Sequence, residues 1–185
     1  MGLALLIGLA IEGATIPLIG RFLSVHIFVG MLLLGPVMLK LGSTGYRFVR
    51  YYSGSRPYVK LGPPAPFMRF LVAPVLIAST ITLFATGVLL LVEPQRGPLL
   101  LLHKASFIVW FGATAIHVLS YTLRALRNVV TDLVARRSPG RSYRLGLTIF
   151  AVLAGLVLAA ATYHLAGPWL HHGPRFAATL LQPDH

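Results

Sequence analysis

Long apolar runs separated by short polar stretches dominate the chain. Four runs are long and uninterrupted, and they cover residues 22–41, 70–92, 99–123 and 145–165. At about 1.5 Å per helical residue, each can cross a hydrocarbon core of roughly 30 Å. Backbone groups in lipid must be hydrogen-bonded internally, so these runs are predicted to be transmembrane α-helices.

A fifth, weaker apolar segment covers residues 2–16. It carries Glu12 and ends before Pro17 and Gly20, so it is either a short first span or a helix at the membrane interface. It lacks a basic leading region and a small-residue cleavage site, so we do not interpret it as a signal peptide. We favour a span, because an internal repeat described below gives this segment a counterpart. The expected fold class is all-α: an integral membrane helical bundle of four to five transmembrane helices.

Composition supports this class. Of the 185 residues, 56% are hydrophobic and only 11% are charged, whereas soluble domains carry about 25% charged residues. We expect a single transmembrane domain. The chain has no cysteine, which excludes disulfides, iron–sulfur clusters and thiolate ligation of haem.

The positive charge is concentrated in two stretches between apolar runs. The net charge is +12, but a nucleic-acid binder would need a basic face on a soluble fold, so we expect no nucleic-acid partner. Lys and Arg in short loops are typical of the cytoplasmic side of a membrane protein. We therefore expect a multi-pass protein of the cell membrane, with loops 42–69 and 124–144 in the cytoplasm and the C-terminal tail 167–185 outside. Twelve of the sixteen basic residues lie in or beside these loops: Lys40, Arg47, Arg50, Arg56, Lys60, Arg69, Arg124, Arg127, Arg136, Arg137, Arg141 and Arg144.

The chain contains an internal repeat that aligns His26 with His103. Two arginines follow each histidine at matching spacings, and Gly13 upstream of the first histidine corresponds to Gly87 upstream of the second. The repeat predicts tandem helical hairpins, residues 1–41 and 70–124, followed by a final helix. It places His26 and His103 at one depth near the outer ends of their helices, where two imidazoles can hold an iron from both sides.

A third histidine extends this pattern along the same helix. His117 follows His103 by just under four helical turns, so the two project from nearly the same face. Such spacing suits two haems stacked across a membrane, but the position of the first hairpin that corresponds to His117 is Lys40. An inner haem on His117 would lack a second histidine, which leaves one haem or two open.

Three glycines lie near the paired histidines in the sequence. Gly30 comes one turn after His26, and Gly13 and Gly87 lie near the outer ends of their helices. A glycine in a membrane helix admits either a neighbouring helix or a flat macrocycle against the backbone. Both interpretations stay open for these three positions.

Haem suits this set of ligands better than a simple metal ion does. A buried zinc or copper site usually needs three or four protein ligands, whereas haem brings four nitrogens of its own. Two axial histidines leave no open position, which favours electron transfer over oxygen chemistry. His164, near the outer end of the last helix, is a weaker candidate ligand, because a histidine at a membrane boundary is often only an interfacial polar residue.

The segments around these histidines resemble the haem-binding core of b-type membrane cytochromes, a group that includes the cytochrome b of quinol-oxidising complexes and small bacterial four-helix cytochrome subunits. Residues 24–33 (SVHIFVGMLL) and 102–119 (LHKASFIVWFGATAIHVL) carry the resemblance, which covers roughly residues 10–125. It implies non-covalent haem b and transmembrane electron transfer. It also implies a quinone or soluble carrier as redox partner. Apart from the resemblance, the apolar spans predict contact with the lipid bilayer, and the small size of the bundle suggests that it belongs to a larger membrane complex.

Two other functions stay open. The chain could be a non-redox structural or accessory subunit with histidines along a polar seam, or a small proton channel or transporter that uses His103, His117 and His164. No hydrolytic motif is present. Any enzymatic role would therefore be that of the membrane electron-transfer subunit of an oxidoreductase complex.

Overall fold

A computed structural model describes residues 2–59, 66–93, 97–134 and 141–170, without the side chains of 3, 121–134 and 141. The predicted outer tail beyond residue 170, the loop residues 60–65 and 135–140, and the side chains of Arg124 and Arg127 lie outside this description. The described chain forms α1 (Gly2–Thr15), α2 (Ile19–Tyr52), α3 (Arg56–Val59), α4 (Ala73–Val92), α5 (Gly97–Val134) and α6 (Arg141–Thr162).

The all-α membrane fold class is confirmed. No strand occurs in the described ranges. Four helical stretches within them are long and apolar enough to cross a membrane: Ala4–Tyr52, Met68–Val92, Gly97–Ser120 and Ser142–Leu170. Within the first stretch, a 3₁₀ turn at Ile16–Leu18 that contains Pro17 separates α1 from α2.

Four helices form two antiparallel pairs, α1 with α2 and α4 with α5, as the repeat predicts. In the α1–α2 pair, Leu5 packs against Leu33 and Val37, while Glu12, about two turns further along α1, meets His26 near the start of α2. In the α4–α5 pair, the Trp110 indole N–H donates a hydrogen bond of 3.1 Å to the Thr80 hydroxyl. The final helix α6 packs on α2.

Helix α2 continues well beyond the predicted boundary at residue 41. It runs without interruption to Tyr52, and Gly54, with φ of +74°, follows in the turn after it. Hydropathy marks where a helix stops facing lipid, whereas the helix itself ends where the backbone needs a conformation that glycine supplies. The 34 residues of α2 correspond to about 51 Å, so its last turns extend past a hydrocarbon core.

The crossing of α2 and α6 depends on two glycines. A Cβ on Gly155 would collide with the Leu32 carbonyl oxygen, and a Cβ on Gly35 would collide with the Ala151 carbonyl oxygen. Small residues on α6 continue this contact, since Ala151 and Ala159 are both buried. Close approach of small residues is the usual basis of helix association in lipid.

Gly155→Ala therefore separates the two helices. We expect it to lower the free energy of unfolding by about 1–3 kcal/mol, the usual cost of overpacking, measurable as a lower thermal midpoint in detergent. Gly146→Ala is the matched control on the same helix, because nothing lies within 4 Å of its added Cβ. Equal midpoints for the two variants would contradict this account of the crossing.

Candidate functional site

The structure brings His26 of α2 and His103 of α5 together. Their ring centroids are 6.5 Å apart and their planes are nearly perpendicular, at 83°. Both side chains are half-buried. The two positions that the repeat places at one depth therefore meet in the bundle, from helices that belong to different hairpins.

His26 is held by two polar residues near the end of α1. Its Nδ1 lies 2.9 Å from Glu12 Oε1 and 3.0 Å from the Thr15 hydroxyl oxygen. The Thr15 hydroxyl itself donates to the Glu12 carbonyl at 2.6 Å, so it accepts from the imidazole. Since a carboxylate can only accept, the proton of a neutral His26 lies on Nδ1.

His103 is held in a comparable way by α4. Its Nδ1 lies 3.1 Å from the Leu83 carbonyl oxygen and 3.0 Å from the Thr86 hydroxyl oxygen. The Thr86 hydroxyl donates to the Thr82 carbonyl at 2.7 Å, so its lone pair is available to the imidazole. A carbonyl oxygen accepts only, which again assigns the proton to Nδ1.

The two rings consequently present the same chemistry. With Nδ1 protonated and hydrogen-bonded, Nε2 of each neutral ring carries a lone pair that can bind a metal. Ligating histidines in proteins usually donate their other ring N–H to a carboxylate, a carbonyl or a water, which sets the tautomer and the orientation of the ring. Glu12 and Leu83 supply those acceptors here, and the hydroxyls of Thr15 and Thr86 add a second one to each ring.

Two of the three glycines singled out in the sequence leave space for the side chains of Glu12 and His103. A Cβ on Gly30 would lie 3.2 Å from Glu12 Oε1, and a Cβ on Gly87 would lie 3.2 Å from His103 Cε1. Gly13 differs, because nothing in the described chain lies within 4 Å of the Cβ position there. A neighbouring helix or a macrocycle against Gly13 therefore stays a prediction.

Sequence reasoning missed the hydrogen-bond partners. Glu12 and Thr86 each stand directly before an aligned glycine, Gly13 and Gly87. Both therefore occupy the same position of the repeat, and both contact the histidine of the following helix. A polar residue at a repeated position in an apolar helix was the available signal.

The other two candidate histidines lie elsewhere. His117 is exposed on α5. His164 is exposed in the 3₁₀ turn Tyr163–Ala166. The hydroxyl of Thr114, about one turn before His117, is buried with no hydrogen-bond partner among the described residues.

The paired histidines supply too few protein ligands for a simple metal ion. In the described ranges no group of three or more His, Cys, Asp or Glu residues could hold a metal ion, so a metal at the paired histidines would need further ligands of its own. Two imidazoles bonded from opposite sides to one metal at roughly 2.0–2.1 Å have ring centroids about 6 Å apart, close to the 6.5 Å observed. Among the described residues α5 packs on α4 and not closely on α2, so the two histidines meet where the helix backbones stand apart.

Comparisons with protein-family models, curated proteins and solved structures find no match to the chain. The paired histidines and their hydrogen-bond partners are therefore the features that point to a function.

Proposed function

We propose that the chain is a membrane electron-transfer protein of the b-type cytochrome kind, which binds haem b between His26 and His103. The observation that carries the proposal is the matched hydrogen bonding of the two rings. Each imidazole has Nδ1 held by an acceptor and Nε2 left for a metal, and the two centroids are 6.5 Å apart. Two protein ligands suffice for haem, which supplies one-electron iron chemistry when bound.

The residues of the chain orient the two proposed ligands. Glu12 and Thr15 hold the ring of His26, and Leu83 and Thr86 hold that of His103. A haem held by both histidines would supply one-electron chemistry, which favours electron transfer over oxygen chemistry.

Orientation and partners belong to the same proposal. By the positive-inside rule, the end with Arg47, Arg69 and Arg144 would face the cytoplasm. His26 and His103 then lie toward the outer face of the cell membrane, where a quinone or a soluble carrier would exchange electrons. The bundle would serve a larger oxidoreductase complex. A second, inner haem on His117 would have to use Lys40 or a ligand from outside the described residues.

Removal of either paired histidine should abolish haem binding at this site. We expect His26→Ala and His103→Ala to purify with the outer haem absent, measured by pyridine haemochrome per mole of protein. The matched control His164→Ala removes an exposed imidazole at the same end and should keep the full haem content. A His26→Ala protein with wild-type haem content would contradict the assignment. The haem content of His117→Ala reports whether a second haem exists.

Glu12 should tune the potential of the bound haem. A carboxylate that accepts from the His26 ring favours the oxidised iron, because it adds negative charge beside the ligand. Glu12→Gln should therefore raise the midpoint potential by roughly 60 mV, a tenfold change in a one-electron equilibrium. Thr86→Val is the control on the other ligand: it removes a neutral hydrogen bond and should shift the potential much less. A potential lowered or unchanged in Glu12→Gln, as measured by redox titration, would refute this role of Glu12.

A further inference from the structure

At the end of the bundle opposite the paired histidines, Arg69 lies among three aromatic rings. Its guanidinium carbon is 4.8 Å from the ring centroid of Tyr52, 5.6 Å from that of Tyr51 and 5.0 Å from that of Phe70. Tyr51 and Tyr52 end α2, and Arg69 lies in the π-helical turn Met68–Val72 that leads into α4. The cluster therefore ties the C-terminal end of α2 to the turn that leads into α4.

An arginine beside aromatic rings can still use its N–H donors, because a guanidinium that stacks on a ring does so with its face. The five N–H donors of arginine lie in the guanidinium plane, in a fork that matches two oxygens of a phosphate. The acidic side chains that the structure describes, Glu12 and Glu93, lie toward the other end of the bundle, beside His26 and at the C-terminus of α4. In the described chain they therefore offer no carboxylate to Arg69.

The surface around Arg69 is both basic and aromatic. Tyr46, Phe48 and Phe70 expose 58%, 61% and 70% of their area, and Arg47 and Arg50 lie between the aromatic positions of α2. In the sequence, the two basic loops and their borders hold twelve Lys and Arg against a single acid, Asp132. Negatively charged residues are thus scarce in the parts of the sequence that form this end of the bundle.

This surface adjoins the lipid-facing part of the helices. The apolar stretch that includes α4 begins at Met68, beside Arg69, and α2 continues from its apolar part directly into residues 46–52 without a break in the helix. Exposed Tyr and Phe beside Arg, at the end of a span, are the residues that lie at lipid headgroup level. That position favours a lipid surface over a soluble protein as the partner.

We propose that the cluster of Arg69 with Tyr51, Tyr52 and Phe70 binds the phosphate of an anionic phospholipid, with Arg47 and Arg50 adding to the local positive potential. The aromatic rings hold the guanidinium in place, so its donors need little further ordering when the phosphate binds. The acyl chains of the lipid extend along the apolar part of α4. This inference does not depend on haem.

The test uses native mass spectrometry of the full chain in detergent, titrated with phosphatidylglycerol or with phosphatidylcholine of the same acyl chains. We expect the wild type to retain phosphatidylglycerol preferentially. Arg69→Gln should weaken phosphatidylglycerol binding about fivefold, the effect of one basic residue at a lipid surface. Arg69→Lys keeps the charge but not the planar fork of donors. Its affinity for phosphatidylglycerol should lie between those of the wild type and Arg69→Gln.

Arg21→Gln is the matched control. Arg21 also stacks on one ring, with its guanidinium carbon 5.9 Å from the Phe22 centroid, but it belongs to the other end of α2. This variant should bind phosphatidylglycerol like the wild type. Equal retention of the two lipids by the wild type, or equal losses in Arg69→Gln and Arg21→Gln, would overturn the proposal. The thermal midpoint of each variant without added lipid shows that the fold is kept.

Discussion

An imidazole inside a lipid-embedded bundle needs an acceptor for its ring N–H, and the two hairpins of this chain depend on that requirement. In water the donor would be solvated; within a bundle it must find a protein partner. Glu12 meets the requirement for His26 at 2.9 Å, and the Leu83 carbonyl meets it for His103 at 3.1 Å. Each contact joins two helices of one hairpin, so the same hydrogen bonds that position the rings also tie α1 to α2 and α4 to α5.

The polar contacts and the glycines together determine how the helices pack around the paired histidines. Gly30 and Gly87 leave the space that Glu12 and His103 occupy, while two further glycines at the α2–α6 crossing bring α6 against α2. The proposed function follows from the same geometry. Rings held through Nδ1 present Nε2, and a planar ligand with four nitrogens of its own would complete a coordination sphere that two histidines cannot supply alone.

Much of this could be predicted from the sequence, because apolar length and repeated spacing depend on local geometry. The helices, the two hairpins and the meeting of His26 with His103 follow from those patterns. The contact of Glu12 with His26 was missed: its position directly before an aligned glycine was a signal, but hydropathy alone does not indicate which side chains pair. The continuation of α2 to Tyr52 could not be predicted, since lipid exposure and the helical backbone end at different residues. Gly13 shows the converse: it aligns with Gly87, but only Gly87 lies against an imidazole.

The central claim is that the paired histidines bind haem, and a reduced-minus-oxidised visible spectrum of the detergent-purified wild type tests it most directly. The protein should be produced with adequate iron and haem precursor, and its thermal midpoint should show that it is folded. The account predicts a sharp b-type α-band with at least one haem per chain. A featureless spectrum from the folded protein would contradict it, and the two histidines would then have to be explained as a polar contact between hairpins.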